Sequence, residues 1–151
     1  MRKAACTVKS NEISPRLAEF VAALPLRPGM RVLEIGCGPG VAARAVLKRV
    51  GNGHVLAIDR SAKAVAQAIA ASSAELATSK LEFRCVAIED LILGKDERPY
   101  DLAFAIRVGA LDGRHPAAGV AALSRLRQAL VKGGRVFIDG GDPLREVTLT
   151  G

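Results

Sequence analysis

The fold of this chain is decided at residues 31–40, which read Arg31-Val32-Leu33-Glu34-Ile35-Gly36-Cys37-Gly38-Pro39-Gly40. The mostly apolar residues 32–35 predict a short strand buried in a parallel sheet. Three glycines at alternate positions follow, and residues 41–47 then predict a helix. Glycine is needed at such a turn because the backbone bends sharply and a ligand must approach without meeting a Cβ atom. Strand, glycine turn and helix together are typical of a nucleotide-binding α/β unit.

The glycine spacing separates two kinds of this unit. A dinucleotide-binding turn has the pattern G-x-G-x-x-G/A, whereas this turn reads G-x-G-x-G and is followed by the bulky Val41. The string from Glu34 to Gly40 closely resembles motif I of the class I S-adenosylmethionine-dependent methyltransferases. In that family the acidic-x-G-x-G-x-G loop wraps the methionine and ribose parts of the cofactor. The alternative is a strand, turn and helix that bind nothing.

The composition predicts one domain. The chain has 151 residues, half of them hydrophobic. We expect residues 1–12 to be a flexible terminus and residues 13–151 to form a single cofactor-binding domain. No apolar run reaches about 18 residues, so no membrane span is expected. The basic start lacks the apolar segment of a secretory signal, and three widely spaced cysteines favour the reducing cytoplasm. No cysteine or histidine cluster indicates a metal site.

The charge leaves nucleic acid as a possible but not favoured partner. The formal net charge is +7 and the sequence pI is about 9.8. The basic residues are dispersed, however, and the chain has no Trp, one Tyr and four Phe from which to build a base-stacking surface. A scattered basic surface is the simpler interpretation.

The second predicted strand, residues 54–59, ends in Asp59. This acid lies about 20 residues after the glycine loop, a distance that one right-handed crossover spans, so the two strand tips should meet. A carboxylate there can accept hydrogen bonds from both ribose hydroxyls; the alternative is a helix cap, a role that Ser61 can also fill. Arg60 follows at a position that lies against the adenine in the family, although a solvent-facing arginine is an equal alternative.

A third strand, residues 81–87, should form a sheet edge because its residues alternate. In the family the adenine is held just after this strand, often by an acid in a Gly-Asp-Ala string. This chain departs from that form and has its acids at Glu89 and Asp90. The backbone amides of Ile88 and Glu89 remain able to bind adenine, and a solvated acidic turn is the alternative.

The remaining pattern predicts a doubly wound α/β fold, Rossmann-like and mostly parallel, with strand order 3-2-1-4-5. A helix should begin at Ser14-Pro15 and cover either the cofactor or only the sheet edge. An alanine-rich helix should span residues 61–76 with Val65, Ile69 and Leu76 as its anchors. The fourth and fifth strands are expected at 102–106 and 135–139. Between them a helix over 117–131 should bury Val120, Leu123, Leu126 and Leu130 and end at Gly133-Gly134.

The chain is short at its C-terminus relative to the family. The resemblance covers about residues 14–140 and indicates a small domain of the methyltransferase-11/25 type, whose usual form continues with two more strands and a helix. After the turn Gly140-Gly141-Asp142-Pro143, residues 144–150 alternate and predict a short antiparallel strand along the fifth. Pairing of this segment with another subunit is the rival interpretation, so either a monomer or a homodimer is expected.

The resemblance implies methyl transfer from S-adenosylmethionine, with S-adenosylhomocysteine as the product. The expected cofactor-binding residues are Glu34, Gly36, Cys37, Gly38, Gly40, Asp59, Arg60, Ile88, Glu89 and Arg107. Glu34 is expected on the ammonium side of the cofactor, unless it only holds the amides of the glycine loop. Cys37 is expected to matter through its backbone and not as a nucleophile.

No catalytic residue is evident, and a methyl transfer needs a general base only if the acceptor must lose a proton. His115 is a weak candidate in the loop after the fourth strand, whereas His54 lies at the other end of the sheet. Asp139 and Asp142 are possible substrate contacts. A small-molecule acceptor is favoured, and an anionic one would be drawn by Arg107 and Arg114. The alternatives are an RNA or protein acceptor, or a non-catalytic or partner-dependent S-adenosylmethionine-binding module.

Overall fold

The computed structural model describes residues 13–149, and the predicted flexible terminus at 1–12 lies outside the described residues. The described part alternates helices and strands. The helices are α1 (Pro15–Ala23), α2 (Val41–Val50), α3 (Ala62–Ala71), α4 (Ser73–Leu76) and α5 (Pro116–Ala129), with a 3-10 turn at Ile88–Asp90. The strands are β1 (Arg31–Ile35), β2 (His54–Asp59), β3 (Leu81–Cys85), β4 (Tyr100–Ala105), β5 (Leu130–Asp139) and β6 (Leu144–Val147).

One six-stranded sheet of order β3-β2-β1-β4-β5-β6 organises the fold. The first five strands run parallel, and β6 lies antiparallel to β5 with Phe137 opposite Glu146. The predicted strand order and the short antiparallel last strand are both confirmed. Because β1 lies between β2 and β4, the strand order reverses beside it, which is where open α/β sheets bind ligands.

The two sheet faces bury separate apolar clusters. Alternate residues of β1 divide between them: Val32 joins the cluster under α1 and α2, whereas Leu33 joins the cluster under α5. The β1 strand is therefore covered on both faces, as its apolar sequence predicts. None of the helices formed between residues 13 and 149 combines the length and apolarity that a membrane crossing demands.

The helix starts follow local capping chemistry. The hydroxyl of Ser14 accepts a hydrogen bond from the Leu17 amide at 3.2 Å, and Pro15 occupies the first helical position, as predicted. The predicted helix over 61–76 is instead broken at Ser72, a fully buried serine whose hydroxyl accepts a hydrogen bond from the Arg44 guanidinium at 2.8 Å. Because α3 buries Val65 and Ala68, the predicted anchor Ile69 lies off that face and is 46% exposed.

The α5–β5 connection also differs from its prediction. Helix α5 buries Ala122, Leu126 and Ala129, and the predicted core residue Val120 is 73% exposed. Strand β5 begins directly at Leu130, which pairs with Tyr100 of β4, so Gly133-Gly134 lies within a strand and does not end a helix. Leu130 pairs with Tyr100 and Arg135 pairs with Leu102, so residues 131–134 form an irregularity in the pairing of β5 with β4. Strand β3 ends at Cys85, two residues before its predicted end.

Candidate functional site

The tips of β1 and β2 meet at the carboxyl edge of the sheet. The amides of Gly36 and Cys37 both donate to the carbonyl oxygen of Ile58, at 2.8 and 2.9 Å. The amide of Gly38 donates to Oδ2 of Asp59 at 2.9 Å. These three hydrogen bonds fix the glycine loop against the end of β2. The structure thus brings together the two motifs that the crossover distance predicts to converge.

Glycine is needed at positions 36 and 38 of the loop for different structural reasons. Gly36 has φ +72°, and a Cβ atom built there would lie 2.8 Å from Cγ2 of Val108. Gly38 has φ +52°, and a Cβ atom built there would meet nothing within 4 Å. Both need the left-handed backbone that glycine adopts most easily. Gly36 is also required by close packing against the segment after β4.

The Asp59 carboxylate is the hub of this edge. Oδ1 accepts the Ser61 amide at 2.9 Å while Oδ2 accepts that of Gly38. Ser61 itself caps α3, because its hydroxyl accepts the Ala64 amide at 3.1 Å. Asp59 is therefore not the helix cap. Each carboxylate oxygen has a second lone pair, so Asp59 can accept further hydrogen bonds from a ligand's hydroxyls.

A cavity of about 770 Å³ opens at this edge. Its volume lies within the range of about 300–1,000 Å³ found for small-molecule sites. Several predicted site residues line it, namely Gly36, Asp59, Arg60, Ile88, Glu89, Arg107 and His115. The predicted Glu34, Cys37, Gly38 and Gly40 are not part of its lining. The cavity also takes in apolar side chains that were not predicted as contacts, including Ile58, Val86 and Val108.

Glu34 lies buried in the middle of β1, with only 3% of its surface exposed. Its Oε1 atom has no hydrogen-bond partner among the described residues. Burial, reinforced by the nearby Asp59 charge and opposed by Arg44, raises the pKa of Glu34 to about 8. The loop amides donate to Ile58 and Asp59 instead, so Glu34 does not hold them. A buried carboxyl oxygen with no partner fits a site that a cationic ligand group completes.

Cys37 lacks the character of a nucleophile. Its side chain is buried, and burial together with the charges of Glu34 and Asp59 raises the pKa of the thiol to about 12. A thiol in this state carries almost no thiolate at neutral pH. That the Cys37 backbone serves the cofactor stays a prediction.

A second cavity of about 590 Å³ lies beside the first. The two share Ile106 and Arg107 at the end of β4. The second cavity is otherwise lined by α1 and by the turn after β5, which contributes Asp139 and Asp142. The predicted substrate contacts Asp139 and Asp142 thus lie in the second cavity, whereas the base candidate His115 lies in the first. Nothing in the local sequence signals that α1 contributes Arg16 and Glu19 to this cavity.

Arg107 and Arg114 differ in what they can offer an anion. Arg114 is paired with Asp112 at 2.8 Å and also donates to the carbonyl oxygen of Arg107 at 3.2 Å. Within residues 13–149 the Arg107 guanidinium forms no salt bridge. Only Arg107 of the two therefore presents an uncommitted cation to the cavities.

The described parts fit an adenosine-bearing cofactor. Asp59 offers acceptors for ribose hydroxyls, and the backbone amides of the turn that contains Ile88 and Glu89 border the same cavity. Glu34 offers an unpartnered acceptor behind the glycine loop. Fold and site thus define a Rossmann-like α/β domain with a nucleoside-sized cavity at the carboxyl edge of its parallel sheet.

Comparison with known proteins identifies the family. A model described as "Methyltransferase domain" matches residues 32–134, and the chain belongs to this methyltransferase-domain family. This finding confirms the resemblance inferred from motif I.

Individual relatives agree with this placement. A protein-L-isoaspartate O-methyltransferase from Methylorubrum populi is 39% identical over 127 residues, which are 84% of this chain and 52% of the relative. The structure of an S-adenosylmethionine-dependent methyltransferase from Thiobacillus denitrificans with S-adenosyl-L-homocysteine superposes with a TM-score of 0.64 and 23% identity, over 85% of this chain and 48% of that one. A protein-L-isoaspartate O-methyltransferase structure gives a TM-score of 0.64 and 28% identity, over 82% and 35% of the two chains. This chain spans about half the length of the curated relative that it matches.

Proposed function

We propose that this protein is an S-adenosylmethionine-dependent methyltransferase that acts on a small-molecule acceptor. The observation that carries the proposal is the closure of the glycine loop on Asp59 at the mouth of a cavity of about 770 Å³. The membership in the methyltransferase-domain family supports it. When bound, S-adenosylmethionine supplies an electrophilic methyl group on a sulfonium and its own leaving group.

The residues of the chain then bind, align and exclude water. Asp59 accepts the ribose hydroxyls, while Gly36 lines the cavity beside it. Glu34, whose Oε1 has no partner among the described residues, accepts a hydrogen bond from the ammonium group. The turn at Ile88 and Glu89 receives the adenine. Alignment of two reactants in one site supplies much of the rate acceleration in such a displacement, so a strong base is not required.

The second cavity is the place for the acceptor. It adjoins the cofactor cavity through Ile106 and Arg107, so a molecule in it lies beside whatever fills the first. Its volume of about 590 Å³ suits a small molecule. If the acceptor must lose a proton, His115 in the first cavity is the candidate base.

A protein acceptor is the second candidate. The Methylorubrum populi relative carries the name of a protein-isoaspartate methyltransferase, and its identity of 39% favours a carboxyl acceptor. The uncommitted guanidinium of Arg107 fits such an anion. An RNA acceptor would draw on the net charge of +7 and would show steep salt dependence of binding. A non-catalytic or partner-dependent module is the remaining alternative.

An acceptor screen tests these proposals together. Purified protein with S-adenosylmethionine would be incubated with a small-molecule library, an isoaspartyl peptide and total RNA, and formation of S-adenosylhomocysteine would be measured. We expect turnover with a small molecule, and loss of that turnover in Asp59→Asn but not in the matched surface variant Asp96→Asn. Turnover only with the peptide or with RNA would overturn the small-molecule proposal. Tight binding of S-adenosylhomocysteine without turnover on any acceptor would favour the binding module.

A further inference from the structure

The backbone of Arg107 is held in an unusual conformation. Among residues 13–149, Ser79 and Arg107 are the non-glycine residues with positive φ, and Arg107 has φ +58°. For a residue with a Cβ atom this left-handed conformation costs free energy, which contacts with the surrounding residues must offset. Such backbone strain is concentrated at functional sites because the neighbouring contacts must be built to maintain it.

Two charged side chains form hydrogen bonds with the backbone of Arg107. Oδ1 of Asp139, at the end of β5, accepts the Arg107 amide at 2.9 Å. The Arg114 guanidinium donates to the Arg107 carbonyl at 3.2 Å, and the same guanidinium is fixed by Asp112 at 2.8 Å. Both the N–H and the C=O of Arg107 are thus hydrogen-bonded to side chains from other parts of the chain. Hydrogen bonds to charged groups are the stronger ones in proteins, so this pair can hold a strained residue.

Arg107 belongs to the lining that the two cavities share. Ile106 and Arg107 line both of them. The next residue, Val108, packs closely against Gly36. A Cβ atom on Gly36 would lie 2.8 Å from Cγ2 of Val108. A change of conformation at Arg107 would therefore shift Val108, which packs against the glycine loop. Because Arg107 lines both cavities, the same change would alter the shape of both.

We propose that Asp139 is a positioning residue, whose carboxylate holds Arg107 in its left-handed conformation and so fixes the wall shared by the cofactor cavity and the second cavity. The inference rests on the proposed function for the identity of the two ligands. It assigns Asp139 to the maintenance of the site's shape, through the hydrogen bond that Oδ1 accepts from the Arg107 amide.

Calorimetric titration with S-adenosylhomocysteine tests this role through three variants. Asp139→Ala removes the acceptor and should weaken binding at least about 5-fold, equivalent to about 1 kcal/mol. Asp139→Asn keeps an oxygen that can accept the Arg107 amide but loses the charge, so it should weaken binding clearly less than Asp139→Ala does. Arg107→Gly adopts positive φ without help. In that background the further change Asp139→Ala should weaken binding by less than about 2-fold.

Asp101→Ala is the matched control. Asp101 also accepts a backbone amide across the sheet, that of Arg31 at 2.9 Å, but at the opposite edge. Its loss should lower stability without changing affinity for S-adenosylhomocysteine. Equal affinities of Asp139→Ala and the wild type would overturn the proposal. Equal losses in Asp139→Ala and Asp139→Asn, or an unchanged effect of Asp139→Ala in the Arg107→Gly background, would do so as well.

Failure of the proposed function would look different. The wild type itself would then show no heat with S-adenosylhomocysteine. The role of Asp139 would in that case be decided by urea unfolding of the same variants. The role of Asp139 is supported if Asp139→Ala lowers the urea midpoint in the wild type but not in the Arg107→Gly background. It is refuted if Asp139→Ala lowers the midpoint equally in both.

Discussion

The raised pKa of the buried Glu34 carboxyl can be tested through the pH dependence of stability. Its pKa in the folded protein is about 8, against an ordinary value of 4.5, chiefly because burial penalises the carboxylate. The unfolded chain therefore ionises Glu34 at lower pH than the folded protein does. Because the folded-state pKa is raised, the stability that Glu34 contributes is complete below pH 4.5 and is lost as the pH rises towards 8.

The size of this loss follows from linkage. Between the two pKa values each pH unit costs about 1.4 kcal/mol, so the free energy of unfolding should fall by at most about 4 kcal/mol between pH 5 and 8. Glu34→Gln has nearly the same shape and cannot ionise. The variant should match the wild type near pH 5 and exceed it in stability near pH 8. Urea unfolding of both proteins across this range measures the difference, in which other titrating groups cancel.

The affinity for S-adenosylhomocysteine should rise with pH, whereas the stability falls. If Glu34 pairs with the cofactor's ammonium group, binding must expel the Glu34 proton below pH 8. The wild-type affinity for S-adenosylhomocysteine should then rise by up to about tenfold per pH unit between pH 6 and 8, and Glu34→Gln should bind weakly and without this pH dependence. A stability difference between Glu34→Gln and the wild type that stays constant from pH 5 to 8, or a Glu34→Gln variant with wild-type affinity throughout, would refute this reasoning.

Three further predictions follow from the same edge of the sheet. Asp59→Ala should weaken binding of S-adenosylhomocysteine by about 10- to 100-fold, since hydrogen bonds to a charged group are worth about 1.5–3 kcal/mol, and calorimetry showing no change would exclude Asp59 from the site. Gly36→Ala should lower the free energy of unfolding by about 1–3 kcal/mol in urea, because its φ is +72° and its Cβ would press on Val108; a neutral result would contradict the packing. Cys37 should resist iodoacetamide at pH 8 while the exposed Cys85 is alkylated, as peptide mass spectrometry would show, and rapid labelling of Cys37 would contradict its raised pKa.

Some features were predictable because they depend on local chemistry or on chain topology. The Ser14 cap, the glycine loop and the strand ending in Asp59 each have a local signature. The meeting of loop and acid followed from the right-handed crossover rule, which leaves few ways to connect parallel strands. The antiparallel β6 strand followed from its alternating pattern after a turn.

Other features depend on packing that the sequence does not display. Helix α5 buries two alanines, and small residues give a weak periodic signal, so Val120 was wrongly assigned to the core. The glycines at 133 and 134 resemble a helix stop, but the helix ends earlier, at Ala129, and the glycines lie in an irregularity of the β4–β5 pairing. The left-handed Arg107 has no sequence signature, because its conformation is imposed by Asp139, which is 32 residues away in the chain.

The central claim is that the glycine loop and Asp59 enclose one adenosine-bearing sulfonium compound. Titration of the purified protein with S-adenosylmethionine, in parallel with NAD, tests this claim most directly. We expect saturable heat and a raised melting temperature with S-adenosylmethionine and neither effect with NAD. Saturable binding of NAD with no response to S-adenosylmethionine would contradict it.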